Sequence, residues 1–204
     1  MDPAEPTIYV VDDDEAVRDS LRWLIASVDL DVETHGSAKE FLEAFEPGRP
    51  GCLLVDVRMP GMSGLELQKH LAERAADLPV VIITGHGDVQ MAVNAMKDGA
   101  FDFIEKPFND QPLLNLVQRA VEYSYENARE HARRNQIKGG LEKLTFRERQ
   151  ILDMIVAGES NRNIAVELRI TPKTVEAHRA KVMAKMQATS LADLIKRVVS
   201  LDLD

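Results

Sequence analysis

The sequence predicts an α/β unit, a five-stranded parallel doubly wound sheet, followed by an all-α unit that contains a helix-turn-helix. Three observations lead there. Short runs rich in β-branched residues alternate with helical periodicity through the first half of the chain. From Leu141 onward the strand signal stops and capped helical segments with tight turns replace it. The charge divides in the same way: residues 1–125 carry 10 Lys and Arg against 23 Asp and Glu, whereas residues 126–204 carry 15 against 11. An acidic half suits a cation and a basic half suits a polyanion such as DNA; ordinary solvated surfaces would account for the charge equally well.

The 204 residues are 45% apolar, enough for two packed cores. No stretch approaches 18 uninterrupted apolar residues, and the N-terminus lacks a basic start and an apolar signal core, so a cytoplasmic protein with no membrane partner is expected. The single cysteine, Cys52, lies inside an apolar run and reads as a buried small hydrophobe.

Thr7-Ile8-Tyr9-Val10-Val11 is a strand that ends on Asp12-Asp13-Asp14-Glu15. Asp14 can cap a helix carrying Val17, Leu21, Leu24, Ile25 and Val28 at helical spacing. A weak strand near Val32 and a helix from Ser37 to Phe45 follow, the helix with Phe41, Leu42 and Phe45 inward. Leu53-Leu54-Val55-Asp56 delivers a carboxylate to a strand end, and Pro60-Gly61 turns the chain away. A helix starts at Gly64. Leu78 to Thr84 is a fourth strand ending on a hydroxyl; Val89, Ala92, Val93 and Met96 mark a helix stopped by Gly99; Ala100 to Pro107 is a fifth strand ending near Lys106. Strands alternating with helices argue for parallel pairing with right-handed crossovers.

Parallel strands share a direction, so Asp12, Asp13, Asp56, Thr84 and Lys106 emerge at one edge, where open sheets bind ligands. Each has a plain reading taken alone: the aspartates as helix caps, Thr84 as a turn residue, Lys106 as a surface ammonium. Together they suit phosphoryl transfer, with three carboxylates calling for Mg²⁺, Asp56 as nucleophile, and Lys106 and Thr84 on phosphoryl oxygens.

Beyond these strands, Asn109 to Pro112 starts a helix with Leu113, Val117, Ala120 and Val121 buried. Past Tyr125 the apolar stripe is lost, and a solvated helical linker is expected to end at Gly139-Gly140, with too few apolar heptads for a firm coiled coil. Thr145 and Glu148 form a capping box ahead of Ile151, Leu152, Ile155 and Val156. Ser160 or Asn161 caps a helix with Ile164, Ala165 and Leu168. Thr171 and Pro172 open a third, with Val175, part of His178, Val182, Met183 and Met186 inward, and Ser190 caps a last helix to Leu201. Residues 172–199 carry Lys173, Arg179, Lys181, Lys185, Lys196 and Arg197 against Glu176 and Asp193, a face suited to phosphates. A small helical packing domain with solvated charge is the alternative.

Val11-Asp12-Asp13-Asp14, Asp56 to Gly64, Ile83 to Gly87 and Phe103 to Phe108 together resemble the receiver domain of two-component response regulators, which is flavodoxin-like. Leu144 to Leu152, Gly158, Asn161 to Ala165 and Thr171 to Met186 resemble the LuxR/NarL-type DNA-binding domain. The combination is similar to FixJ-type response regulators, with a receiver over 6–122, a helical linker over 123–140 and the DNA-binding domain over 141–204. The resemblance implies that a sensor histidine kinase phosphorylates Asp56. Mg²⁺ would sit on Asp13, Asp56 and the Arg58 carbonyl, with Asp12 acting through water. Thr84 and Phe103 would form a switch pair beside Lys106, although Phe103 has plain core packing as its other reading. The Lys106-Pro107 bond is expected to be cis, and Arg58 and His86 to tune the phosphoryl lifetime.

In the second domain Glu176, Ala177 and Ala180 would face bases, and Lys173, Thr174, Lys181 and Lys185 phosphates. The implied outcome is a phosphorylation-dependent homodimer on double-stranded promoter DNA, with RNA polymerase as a further candidate partner and gene activation favoured. The protein would be no enzyme beyond intrinsic autophosphorylation and autodephosphorylation. Two readings compete: an aspartyl-phosphate-forming phosphatase or phosphotransferase, which needs a second acid that Val57-Arg58 does not offer, and a nucleotide-binding module, which needs a glycine-rich loop absent after the first strand.

Overall fold

The computed structural model describes residues 5–74, 77–85 and 89–201. The chain divides into two compact units, Met1–Arg129 and Glu130–Asp204. Among the described residues no helix is long and apolar enough to cross a membrane.

In the first unit the strands β1 (Thr7–Val11), β2 (Asp31–His35), β3 (Gly51–Asp56), β4 (Val80–Thr84) and β5 (Asp102–Glu105) pair in parallel in the order β2-β1-β3-β4-β5. The helices α1 (Glu15–Ala26), α2 (Ala38–Ala44), α3 (Gly64–Glu73) and α4 (Val89–Lys97) supply the four crossovers, and α5 (Asp110–Glu142) follows β5. β1, β3 and β4 are buried along their whole length, which is why they read as continuous apolar runs.

Two cores lie on opposite faces of the sheet. One gathers Tyr9, Phe41, Leu53, Val55, Leu67 and Ile82, and the other Ile8, Leu21, Ile25, Leu54, Ile83, Leu113 and Val117. The alternation within each strand puts neighbours such as Leu53 and Leu54 on different faces. Cys52 is fully buried in the second of these cores, and burial pushes its thiol up to about 12, so it behaves as a hydrophobe.

Asp14 caps α1, Ser37 caps α2, and Ser63 with Glu66 forms a capping box on α3. α1 stops at Ala26, short of Val28, because Ser27 closes its last turn and Asp29 takes a left-handed φ of 58°. The fifth strand is shorter than the apolar run suggests and only half-buried, as expected of a sheet edge. α4 forms where Val93 and Met96 mark it, yet these two are 40% and 39% exposed while Ala95 is buried. The side chains of Val89 and Ala92, and all of His86 and Gly87, fall outside the described residues.

The second unit contains the end of α5 with α6 (Phe146–Val156), α7 (Asn161–Glu167), α8 (Pro172–Lys185) and α9 (Leu191–Val199). Its core joins Ile137, Ile151, Leu152, Ile155, Ile164, Val175, Val182, Met186 and Leu194. The glycine pair does not end the linker helix: α5 runs through Gly139-Gly140 to Glu142. The reason is tertiary. Ile137 is buried in the core, and a Cβ at Gly140 would stand 3.1 Å from the Met186 sulfur and 3.2 Å from the Lys185 carbonyl, so glycine lets the helix approach the end of α8.

The turn between α7 and α8 contains Arg169 at φ 52°, a left-handed conformation that disfavours any residue with a Cβ. Its side chain is exposed. Arg169→Gly should therefore stabilise the second unit by about 1 kcal/mol, read as slower amide hydrogen exchange in α7 and α8; faster exchange would show that the arginine side chain supports the turn.

Candidate functional site

The carboxyl ends of β1, β3, β4 and β5 bring Asp12, Asp56, Thr84 and Lys106 to one edge of the sheet. Lys106 Nζ donates to Asp12 Oδ2 and to Asp56 Oδ1, both at 2.7 Å. Burial by itself would lower the ammonium's pKa, but its hydrogen bonds to the two carboxylates outweigh that and hold it raised. Asp12 is 1% exposed and fully engaged: the Asp14 amide donates to Oδ1 at 2.9 Å, and the Arg18 guanidinium donates to its carbonyl at 2.7 Å. Asp56 is 8% exposed, and its Oδ2 accepts from the Arg58 amide at 2.6 Å. Both buried carboxyl groups are hydrogen-bonded, as buried polar groups must be to avoid a desolvation cost.

Asp13 is exposed beside them, as its position one residue beyond the end of β1 allows. Thr84 is 2% exposed, and its hydroxyl donates to the Gly85 carbonyl at 3.3 Å. Phe103 is 39% exposed, so its ring is not a core residue. It sits on the edge strand opposite Ile82, two positions from the Thr84–Glu105 pair. The Lys106-Pro107 bond is cis.

Two supports were not read from the sequence. Arg18, one turn into α1, ties the helix start to the end of β1; a lone arginine on an amphipathic helix carries no signal of that role. Gly64 at the start of α3 lies so close to β3 that a Cβ would fall 2.3 Å from the Asp56 carbonyl oxygen, so only glycine lets α3 pack against the end of β3.

Among the described residues no group of three or more His, Cys, Asp or Glu forms a metal cage. Mg²⁺ does not require one, since it uses one or two carboxylates with carbonyl oxygens and water. The donors expected for it, Asp13, Asp56 and the Arg58 carbonyl, offer only oxygen, the donor type Mg²⁺ takes, and Asp12 and Asp56 already share the positive charge of Lys106.

In the second unit, α8 presents Lys173, Glu176, Ala177, Ala180 and Lys181 on one exposed face at spacings of three and four. Thr174 is half-buried, with its hydroxyl 2.8 Å from that of the cap Thr171. Lys185, expected among the phosphate contacts, is half-buried. Its Nζ is engaged within the unit, donating to Glu148 Oε2 at 2.6 Å and to the Lys143 carbonyl at 2.9 Å. The buried Glu148 also accepts from the Thr145 amide at 2.8 Å. His178 is half-buried, and among the described residues no hydrogen-bond partner reaches its Nδ1.

The Lys185 hydrogen bond, followed by that of the Thr145 amide, holds Glu148 down at about 2 against the ordinary 4.5. A depressed carboxylate contributes stability that is fully present above its unfolded value and is lost as pH falls through the folded one. The urea midpoint of the second unit should thus fall as the pH drops from about 4.5 to about 2 in the wild type. That pH dependence should flatten in Glu148→Gln; an identical slope in the variant would remove Glu148 from the account.

The receiver-domain family, "Response regulator receiver domain", matches residues 8–118, and "Bacterial regulatory proteins, luxR family" matches residues 142–198. The chain is 47% identical over 194 residues to the transcriptional regulatory protein FixJ of Azorhizobium caulinodans, covering 95% of this chain and 92% of that one. It is 45% identical to the transcriptional regulatory protein TdiR of Thauera aromatica, covering 95% and 85%. Among solved structures, the response regulator StyR superposes with a TM-score of 0.88 at 43% identity, covering 97% of this chain and all of that one. Full-length FixJ from B. japonicum superposes with a TM-score of 0.59 at 41% identity, covering 98% and 99%. With an acidic, lysine-bridged strand edge in one unit and a capped helix-turn-helix in the other, the chain belongs to the two-component response regulators that join a receiver domain to a LuxR-type DNA-binding domain.

Proposed function

We propose that Asp56 accepts a phosphoryl group from a phosphohistidine of a sensor kinase and that the modified receiver dimerises, directing the DNA-binding domain to a two-fold promoter site in the cytoplasm. The observation that carries this reading is the Lys106 ammonium at 2.7 Å from both Asp12 and Asp56. A carboxylate oxygen of Asp56 attacks phosphorus, the P–N bond breaks, and the imidazole leaves with its electron pair and takes up a proton. Lys106 transfers its hydrogen bond from the carboxylate to a phosphoryl oxygen. When bound by Asp13, Asp56 and the Arg58 carbonyl, with Asp12 through water, Mg²⁺ supplies neutralisation of phosphoryl charge.

The phosphoryl group adds about −1.5 to −2 charge. Thr84 then exchanges the Gly85 carbonyl for a phosphoryl oxygen, and Phe103 on the neighbouring strand follows it inward. Val93 and Met96, three residues apart on α4, and Phe103 on β5 are each exposed, which supports dimerisation through α4, β5 and α5. Glu176, Ala177 and Ala180 read base edges, the alanines against thymine methyls and Glu176 from a cytosine amine, while Lys173, Thr174 and Lys181 contact phosphates. Intrinsic autodephosphorylation returns the receiver to its resting state.

Light scattering with Mg²⁺ and beryllium fluoride tests the switch. The mass of the wild type should double, and that of Met96→Glu should stay at the monomer value. A wild-type mass that does not change refutes phosphorylation-driven dimerisation.

A further inference from the structure

A buried polar side chain of the receiver takes no part at its acidic edge. Gln68 lies on α3, next to Leu67 and three residues before Leu71, and is 3% exposed. Glutamine is seldom buried so far unless hydrogen bonds hold it there. Its Nε2 donates to the Ala95 carbonyl and to the Asp98 carbonyl, both at 3.0 Å. These two acceptors fix which way the amide points, because only its nitrogen can donate to them.

Both acceptors belong to the end of α4. That helix closes in a Schellman turn: the Ala100 amide donates to the Ala95 carbonyl at 2.9 Å, the Gly99 amide donates to the Met96 carbonyl at 3.2 Å, and Gly99 takes φ 91°. Gln68 adds a tie from outside the helix. The Lys69–Asp98 ion pair beside it spans 3.3 Å, but its side chains are 61% and 45% exposed, too solvated to hold a helix end by themselves. α3 is in turn fixed to the acceptor strand: the Gly64 amide donates to the Val57 carbonyl at 3.1 Å, and the missing Cβ lets Gly64 lie against Asp56. Gln68 follows about one helical turn later. The end of α4 is thus tied to the acceptor strand through α3, independently of Thr84.

The tied turn also carries the dimer face. Met96 adjoins Ala95, and Val93 lies three residues before Met96, both of them exposed. Holding the end of α4 sets the direction in which these side chains are presented. A two-fold dimer uses that face twice, so the fraction of chains with α4 in the productive orientation enters the association constant squared. An untied helix that holds this orientation about a third of the time raises the dimer dissociation constant about tenfold.

We propose that Gln68 is a positioning residue for self-association, its amide fixing the end of α4 so that Val93 and Met96 meet a second copy of the chain. This rests on the reading that the phosphorylated receiver dimerises through α4, β5 and α5.

The test uses the full-length protein with Mg²⁺. Light scattering over a range of protein concentrations, with beryllium fluoride, gives the dimer dissociation constant. The initial rate of labelled phosphoryl incorporation from acetyl phosphate reports on the acceptor site. Gln68→Met keeps the length of the side chain without its donor, and Gln68→Glu keeps its shape but places a carboxylate oxygen where the donor was. The two differ in polarity, so the loss they share is that of the amide hydrogens. Each should weaken the dimer about tenfold while phosphoryl incorporation stays within about twofold of wild type. Lys69→Ala should keep both quantities within about twofold. A purely structural role lowers the urea midpoint of the receiver and leaves the dissociation constant of the folded protein unchanged, which overturns the proposal. Tighter dimers, a parallel loss of phosphoryl incorporation, or a Lys69→Ala dimer as weak as that of Gln68→Met also overturn it. A wild type that dimerises no better than its variants overturns the role of Gln68 alone, whereas a wild type that stays monomeric overturns the dimerisation reading as well.

Discussion

Asp56→Asn is expected to abolish the response to a phosphodonor completely. The amide keeps the size and planarity of the carboxylate but cannot form an acyl phosphate, so incorporation of labelled phosphoryl from acetyl phosphate should fall to background. The mass measured by light scattering should stay that of a monomer, and duplex affinity should remain at the unstimulated level. The fold should tolerate the change. Lys106 keeps its 2.7 Å ion pair with Asp12, and the oxygen of the introduced side-chain amide can still accept from the Arg58 backbone N–H. The result depends on where Asp56 stands: of the acids at this edge it alone terminates β3, with α3 drawn against it by Gly64 and an ammonium already in place. A variant that still incorporates phosphoryl and dimerises would move the acceptor to another carboxylate.

Phe41→Ala is expected to cost the receiver unit about 3–5 kcal/mol. Phe41 is fully buried on α2 and sits in an aromatic cluster: its ring centroid is 5.4 Å from that of Tyr9 at 70°, 5.1 Å from Phe45 at 28°, and 5.6 Å from His35 at 73°. Truncation removes the apolar burial, opens a cavity that the flanking β1 and β2 cannot collapse to fill, and forfeits the edge-to-face contacts. Urea unfolding followed by far-UV circular dichroism should show the receiver transition at lower denaturant with an unchanged slope, and the transition of the DNA-binding unit unmoved. A loss below about 1 kcal/mol would mean that the cluster repacks, against the close packing expected of such a core.

Much of this was legible because the determinants are local. Strand composition, caps and turn residues act over a few positions, so Asp14, Ser37, Thr145, Thr171 with Pro172, and Ser190 mark the helix starts they occupy. The parallel sheet followed from alternation, and a shared strand direction gathered Asp12, Asp56, Thr84 and Lys106. The motif resemblance led to the same family that the comparisons show.

What escaped the sequence reading depends on contacts between residues far apart in the chain. The helical continuation through Gly139-Gly140 is set by the packing of Ile137 and by the approach of Gly140 to Met186, which overrides glycine's weak helix propensity. The outward display of Val93 and Met96 is decided by which side of α4 meets the sheet, and an all-apolar spacing pattern does not specify that side. Lys185 matched a phosphate-contacting position by motif, yet Glu148, 37 residues earlier, draws its ammonium inward.

Periodicity and capping are short-range physics, so the linear chain was enough to set the elements, their order, and which residues reach the acidic edge of the sheet. The pairing of those residues came from long-range packing, with Lys106 shared between Asp12 and Asp56, Arg18 bracing the Asp12 carbonyl and Gly64 admitting α3. Hydrogen-bond partners and close backbone approaches are fixed by distances of 2.6–2.9 Å between groups up to 94 positions apart, and no pattern in the linear chain encodes those distances.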